Sequence, residues 1–308
     1  INIAPWSTRR AYYCVRHRNG KVEWNLENAR FRMTVQATGA ELSLLWDNKG
    51  QRNWIWQPQP DVWNNSATQL FPVVGQLIHN GLWQGERFFP LSAHGFLRYQ
   101  IFDCVEQDAT HLVIEAHDTA STREVWPFSW QVRIGWYLES YGIRVTWSVF
   151  NTSDETWGYS SGWHPGFALP VASEPGWTVR FNSVCTGPFA TQKRTLQISD
   201  NAPGIAAFPL LPESFNHGAV YFSQSDDNHW AVCSPDGVEQ IVFAGNQQWL
   251  ALWGIPGANL LCVEPLSGTT DDPCFDGQIA HKRGIQWLNA GEQHSHWLSV
   301  RFPADSGR

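Results

Sequence analysis

The 308-residue chain carries a formal charge of −7 at pH 7, and only 16% of its residues are charged. A mildly acidic chain without a long Lys/Arg run lacks the cationic footprint of a nucleic-acid or anionic-membrane binder, so neither partner is expected. No apolar run approaches the ~20 residues of a membrane span.

The start, INIAPWSTRRAYY, has neither the charged-then-apolar layout of a secretory signal nor an initiator Met, so trimming stays open. Cys14, Cys104, Cys185, Cys233, Cys262 and Cys274 include no CxxC pair, which leaves a zinc ribbon or thioredoxin motif unsupported. Buried free thiols in a cytoplasmic protein are the expectation.

Period-two alternation begins at Phe31, Met33 and Val35, which interleave with Arg32, Thr34 and Gln36. The Pro/Asn-rich stretch QPQPDVWNNS (57–66) reads as a loop. SAHGFLRYQIF (92–102) follows. There His94 precedes Gly95, which relaxes the backbone and admits close approach of another group. Arg98 comes four residues after His94, just before what reads as an apolar strand. Val132, Ile134, Trp136 and Leu138, the turn Glu139-Ser140-Tyr141-Gly142, then Ile143, Val145, Trp147 and Val149 make a hairpin of half-buried strands.

GWHPGF (162–167) sets His164 before Pro165, which biases it toward extended geometry, and Gly166 permits a sharp change of direction. The segment is either an ordinary turn or a backbone shaped to hold His164 at the mouth of a sandwich. WTVRFN (177–182) alternates again, and His217 and His229 flank a polar loop, SQSDDN, without ligand spacing.

NLLCVEPLSGTTDDP (259–273) reads as a strand and then a loop. On that strand Leu260, Cys262 and Glu264 share one face. A carboxylate there needs a partner or a polar pocket, unless it is a solvent-exposed strand end. At the C-terminal end GIQWL and HWLSVRF flank Asn289-Ala290-Gly291. His294 and His296 form HxH on one side of a strand, read as solvated, since two histidines do not complete a metal site. The tail PADSGR reads as frayed.

Helical periodicity is absent from windows longer than about ten residues, and 25 Gly and 18 Pro punctuate the chain. This is an all-β pattern, expected as one large antiparallel β-sandwich. Length alone favours about two domains, but no composition break divides the chain, so 1–308 is read as one domain with its core at about 22–302. Nineteen tryptophans serve strand and core packing and also tilt the reading toward a carbohydrate, because indole faces stack on sugar C–H faces. Two imidazoles, His94 and His164, and one carboxylate, Glu264, are the inventory for proton transfer in both directions at neutral pH.

AHGFLR, then GWHPGF, then CVEP, in that order, resemble the aldose 1-epimerase (galactose mutarotase) family, and most nearly its LacX-like branch. TQLFPVVGQL (68–77), VWPFSW (125–130) and VFNTSDE (149–155) extend the resemblance, which covers roughly residues 22 to 302. It implies a galactose mutarotase-like β-sandwich (supersandwich) acting on the anomeric carbon of a free sugar, without metal or organic cofactor. By position Glu264 matches the family's general base at the C1 hydroxyl, and His164 matches its general acid at the ring oxygen. His94 matches the second histidine, which steadies developing charge. Arg98 matches the arginine after HGF and is a candidate for a polar or anionic substituent. Gln76 departs from the family pattern, which has a sugar-contacting arginine after PxVG. Gln donates and accepts hydrogen bonds but carries no charge.

Other readings stay open. A sugar-phosphate or acidic-sugar mutarotase would need a cationic cluster, with Arg98 in place and Arg87 and Arg123 unplaced. A sugar-binding sensor would not need Glu264 and His164 together. A glycosidase needs two carboxylates across the scissile bond, and Asp271 and Asp272 read as loop residues. The oligomeric state, monomer or homodimer, is open.

Overall fold

The computed structural model describes residues 15–18, 21–224 and 228–303. Cys14 and most of the PADSGR tail lie outside them. Nearly every element is a β-strand, and all strand pairs are antiparallel. A five-stranded meander (Val15–Arg18, Lys21–Glu27, Phe31–Gln36, Leu42–Asp47, Arg52–Asn53) lies beside a fifteen-stranded sheet. Two two-stranded ribbons complete the set.

Alternation sets the register, as period two requires when one face is buried. In the hairpin Trp130–Glu139/Gly142–Asn151, Val132 pairs with Val149, Ile134 with Trp147 and Leu138 with Ile143. The inward members of these pairs are almost fully buried. WTVRFN opens the long strand Thr178–Gln192. The two C-terminal runs do not pair with each other. Gln286–Leu288 joins Trp157–Tyr159, while Gln293–Arg301 joins Gly142–Asn151 and Glu239–Gly245.

One buried cluster runs from Trp24 to Phe302. Trp126, Trp130, Trp136, Trp157 and Trp163 are fully buried in it, so much of the tryptophan content is core.

One open alternative closes and two readings need correction. GWHPGF is no turn: Gly162–Ala168 is a strand between Ala67–Leu70 and Leu260–Leu266. Gly166 keeps an ordinary strand conformation, and its missing Cβ serves packing instead, since a Cβ would lie 2.6 Å from Cζ3 of Trp63. The stretch after Arg98 is not an apolar strand. Arg98 lies in a 3-10 turn, Leu97–Tyr99, followed by Ile101 at 64% exposure and an exposed edge strand, Asp103–Gln107. The HxH pair is not solvated either. His296 is buried, and the Tyr159 hydroxyl lies 3.3 Å from Nδ1 of His294 and 3.4 Å from Nε2 of His296. The strand turns both imidazoles inward, where one phenol caps them.

Candidate active site

Sheet register builds the centre. Gly162 faces Leu266 and Gly166 faces Cys262, which puts His164 directly opposite Glu264. Thr68 flanks His164 on the other side, Ala251 flanks Glu264, and Tyr221 flanks Ala251. Side chains of directly paired residues point to the same face. Of this row of five residues on five strands, Thr68, His164, Glu264 and Tyr221 line a cavity of about 380 Å³. Nε2 of His164 lies 3.3 Å from Oε1 of Glu264. Leu260 and Cys262, on the same face of the strand as Glu264, pack with Trp56, Trp63 and Trp253. Trp63 stacks on His164 at 5.1 Å between ring centres and Trp253 meets it edge-on at 5.8 Å, so two indoles fix the imidazole plane.

His94 arrives from a loop. It adopts φ 63°, and Gly95, at φ 67°, passes against the Phe71 carbonyl oxygen where a Cβ would collide. Loop 92–95 and loop 72–76 then hold each other. The Gly75 N–H donates to Nδ1 of His94 at 3.2 Å, and the His94 N–H donates to the Gly75 carbonyl at 3.0 Å. With Nδ1 accepting, the neutral ring carries its proton on Nε2. The two imidazoles lie 5.7 Å apart at nearly right angles.

Gln76 lines the cavity. Its backbone N–H donates to Oγ1 of Thr270 and its carbonyl accepts from the Asp271 N–H. Arg98 also lines the cavity and donates to the Ala93 carbonyl at 2.8 Å.

Burial dominates the electrostatics. It holds the His164 imidazole down to about 4, with the Arg98 charge adding to the effect. It pushes the Glu264 carboxyl well above the usual carboxylate range. His94 is held well below 6.5 by burial, then by the His164, Arg98 and Lys282 charges. Each shift disfavours the charged form, as low polarizability around the group requires. Burial thus favours the neutral forms together, a carboxylic acid on Glu264 and an uncharged imidazole on His164.

Asp271 and Asp272 do not supply a second carboxylate facing Glu264. Asp271 is fully buried, accepts from Nζ of Lys282 at 2.6 Å and from the Ile78 N–H at 2.9 Å, and Asp272 pairs with Arg283. Arg87 and Arg123 leave the list of candidate cations, because each pairs on the surface, with Glu155 and with Asp118. Among the described residues no cluster of three or more His, Cys, Asp or Glu is arranged to hold a metal.

Several lining residues were not legible as such in the sequence. Trp63 and Asn65 come from the 57–66 loop, His217 from the turn before Val220–Ser223, and Arg194 from the tip of a hairpin. No local pattern marks them, because they converge only through long-range pairing.

Comparison with known proteins agrees with this frame. The family model described as aldose 1-epimerase matches residues 23–301. The chain is 27% identical over 212 residues to the chromosomal protein LacX of Lactococcus lactis subsp. lactis, covering 63% of this chain and 70% of that one. Its fold superposes on a galactose mutarotase related enzyme from Lactobacillus acidophilus with a TM-score of 0.84 at 23% identity, over 92% of this chain and 98% of the other. A galactose mutarotase-like protein from Lactobacillus casei ATCC 334 gives 0.82 at 22% identity, over 91% and 100%. The large antiparallel sheets are those of the galactose mutarotase-like sandwich.

Proposed function

The chain belongs to the aldose 1-epimerase family, and on that premise we propose that it is a mutarotase, interconverting the α and β anomers of an aldose by acid–base ring opening. The observation that carries this reading is the register-locked pair at the cavity floor, with His164 opposite Glu264 and 3.3 Å between them. A base and an acid on one small cavity are what a reversible two-proton reaction needs.

The steps conserve the pair's single proton. In the reactive form Glu264 is a carboxylate and His164 an imidazolium. Glu264 takes the proton of the C1 hydroxyl while His164 protonates the ring oxygen. The C1–O5 bond breaks, C1 becomes an aldehyde, and the pair is left as carboxylic acid and neutral imidazole. That neutral arrangement is the one burial favours, so the site relaxes toward its own preferred state as the ring opens. After rotation about C1–C2 the O5 hydroxyl attacks the other face of the aldehyde. His164 recovers the O5 proton and Glu264 returns its proton to the C1 oxygen. The Nε2–H of His94 is the donor available to steady charge at the ring or anomeric oxygen. Gln76 supplies an uncharged donor and acceptor where the family pattern has arginine. No cofactor enters this scheme. A cytoplasmic location belongs to the same reading, as the described cysteines form no disulfide.

NMR exchange spectroscopy on free aldoses tests the proposal. Wild-type protein is expected to accelerate anomer exchange, with His164→Ala and Glu264→Gln each losing about 10²–10⁴-fold. Sugar binding with no acceleration by wild type would replace the reading with a non-catalytic sugar binder of the same fold.

A further inference from the structure

Two guanidinium groups line the cavity with no carboxylate to neutralise them among the described residues. Arg98 spends one nitrogen on the Ala93 carbonyl and rests on the Tyr99 ring, while its Nε is buried without a hydrogen-bond partner. Arg194 lines the same cavity and enters no ion pair among the described residues. The acidic groups nearby are committed elsewhere. Asp271 is held by Lys282 and Asp272 by Arg283, while Glu264 faces Nε2 of His164 at 3.3 Å. A chain of net charge −7 thus keeps two positive charges around one pocket without an ion-pair partner among the described residues.

The backbone at Arg194 adds a second observation. Gln192 pairs with Thr195, so Lys193-Arg194 is a two-residue hairpin loop, and both residues take left-handed φ, 49° and 67°. Such loops are met at least cost by Asn-Gly; a residue with a Cβ at each position is strained. The loop is nonetheless fastened to the cavity floor. Oγ1 of Thr270 donates to the Arg194 carbonyl at 2.8 Å, and the Leu196 N–H donates to the Asp271 carbonyl at 2.9 Å. Strain held in place by surrounding contacts at a pocket wall is a mark of a functional position.

We propose that the aldose turned over here carries an acidic substituent, whose negative charge is received by Arg98 and Arg194. This rests on the mutarotase reading for its turnover but not for its binding. A neutral hexose can accept from a guanidinium only through its hydroxyls, whereas a phosphate or carboxylate takes the planar donor forks of two arginines with stronger, charge-assisted hydrogen bonds. Arg98 acts on both catalytic imidazoles, so an anion that neutralises it also eases protonation of His164.

The test compares one neutral hexose with its 6-phosphate and its uronic acid, by anomer exchange and by direct binding calorimetry, for wild type and Arg194→Gln. The expected result is a preference of roughly tenfold or more for at least one acidic sugar, expressed in KM and Kd, that falls toward unity in Arg194→Gln. The phosphate and carboxylate arms identify which acid the site reads. Equal or better turnover of the neutral hexose, with a ratio that Arg194→Gln does not move, overturns the proposal and leaves the mutarotase reading intact. If no sugar exchanges, that reading fails, and binding decides alone. Tighter acidic-sugar binding that weakens in Arg194→Gln supports the anion site, and equal binding overturns it.

Discussion

His296 and Glu264 are both buried ionisable groups, and burial moves them in opposite directions. The folded His296 imidazole sits at about 4 against an ordinary 6.5, as does His164. Each therefore binds its proton less readily in the folded protein than in the unfolded chain. Their contribution to stability is complete above 6.5 and is lost as pH falls from there toward 4. Thermal unfolding followed across that window is expected to show a falling midpoint in wild type and a shallower fall in His296→Gln. An unchanged slope would mean that this imidazole stays neutral through unfolding. Glu264 runs the other way. Its folded pKa is raised, so its contribution is complete below the ordinary carboxylate value of 4.5 and declines as pH rises. Glu264→Gln is accordingly expected to melt no lower than wild type at neutral pH, although the proposed mechanism predicts a large loss of exchange. A lowered midpoint would contradict the reading of Glu264 as a group kept at a cost to stability.

At the scale of elements, two loops and a hairpin meet at one buried ion pair. Asp271 and Thr270 bind the backbone of loop 76–78 and of the Arg194 hairpin, and Lys282 satisfies Asp271 from behind while also donating to the Thr269 carbonyl. Lys282→Met strands the Asp271 charge and is expected to cost about 3–5 kcal/mol, measurable by denaturant unfolding. Lys282→Met/Asp271→Leu is expected to recover much of that loss. A double variant no better than the single one would show that the pair matters for something other than charge balance.

Elements whose signal is local were legible in the sequence. The 132–149 hairpin keeps one side chain in two facing the core, and the Leu260–Cys262–Glu264 face follows from the same period. GWHPGF left a turn open beside a shaped site because Pro and Gly are turn residues locally, while here the segment is a strand and Gly166 makes room for Trp63, which arrives from about a hundred residues earlier. The inward turn of His296 was hidden for a related reason, since Tyr159 comes from another strand. The His94–Gly95 pair was legible as a close approach, but the left-handed φ of His94 itself was not.

For the molecule as a whole, tryptophan serves two purposes that composition alone cannot separate. Indoles such as Trp126 and Trp157 pack edge-to-face at 4.7 Å in the core, and their N–H groups find no hydrogen-bond partner. Both rings pack edge-on against other aromatic rings. Trp63 and Trp253 instead wall the cavity around His164. The core fixes the register of the central strands, the register sets His164 against Glu264, and in the proposed mechanism that pairing lets one proton serve both steps. The pH dependence of anomer exchange by wild type tests this most directly. A shared proton in a buried site predicts a broad plateau through neutrality, with an acid limb near 4 and an alkaline limb well above the ordinary carboxylate range. A narrow bell between 4.5 and 6.5, the values of an ordinary carboxyl and an ordinary imidazole acting independently, would contradict it.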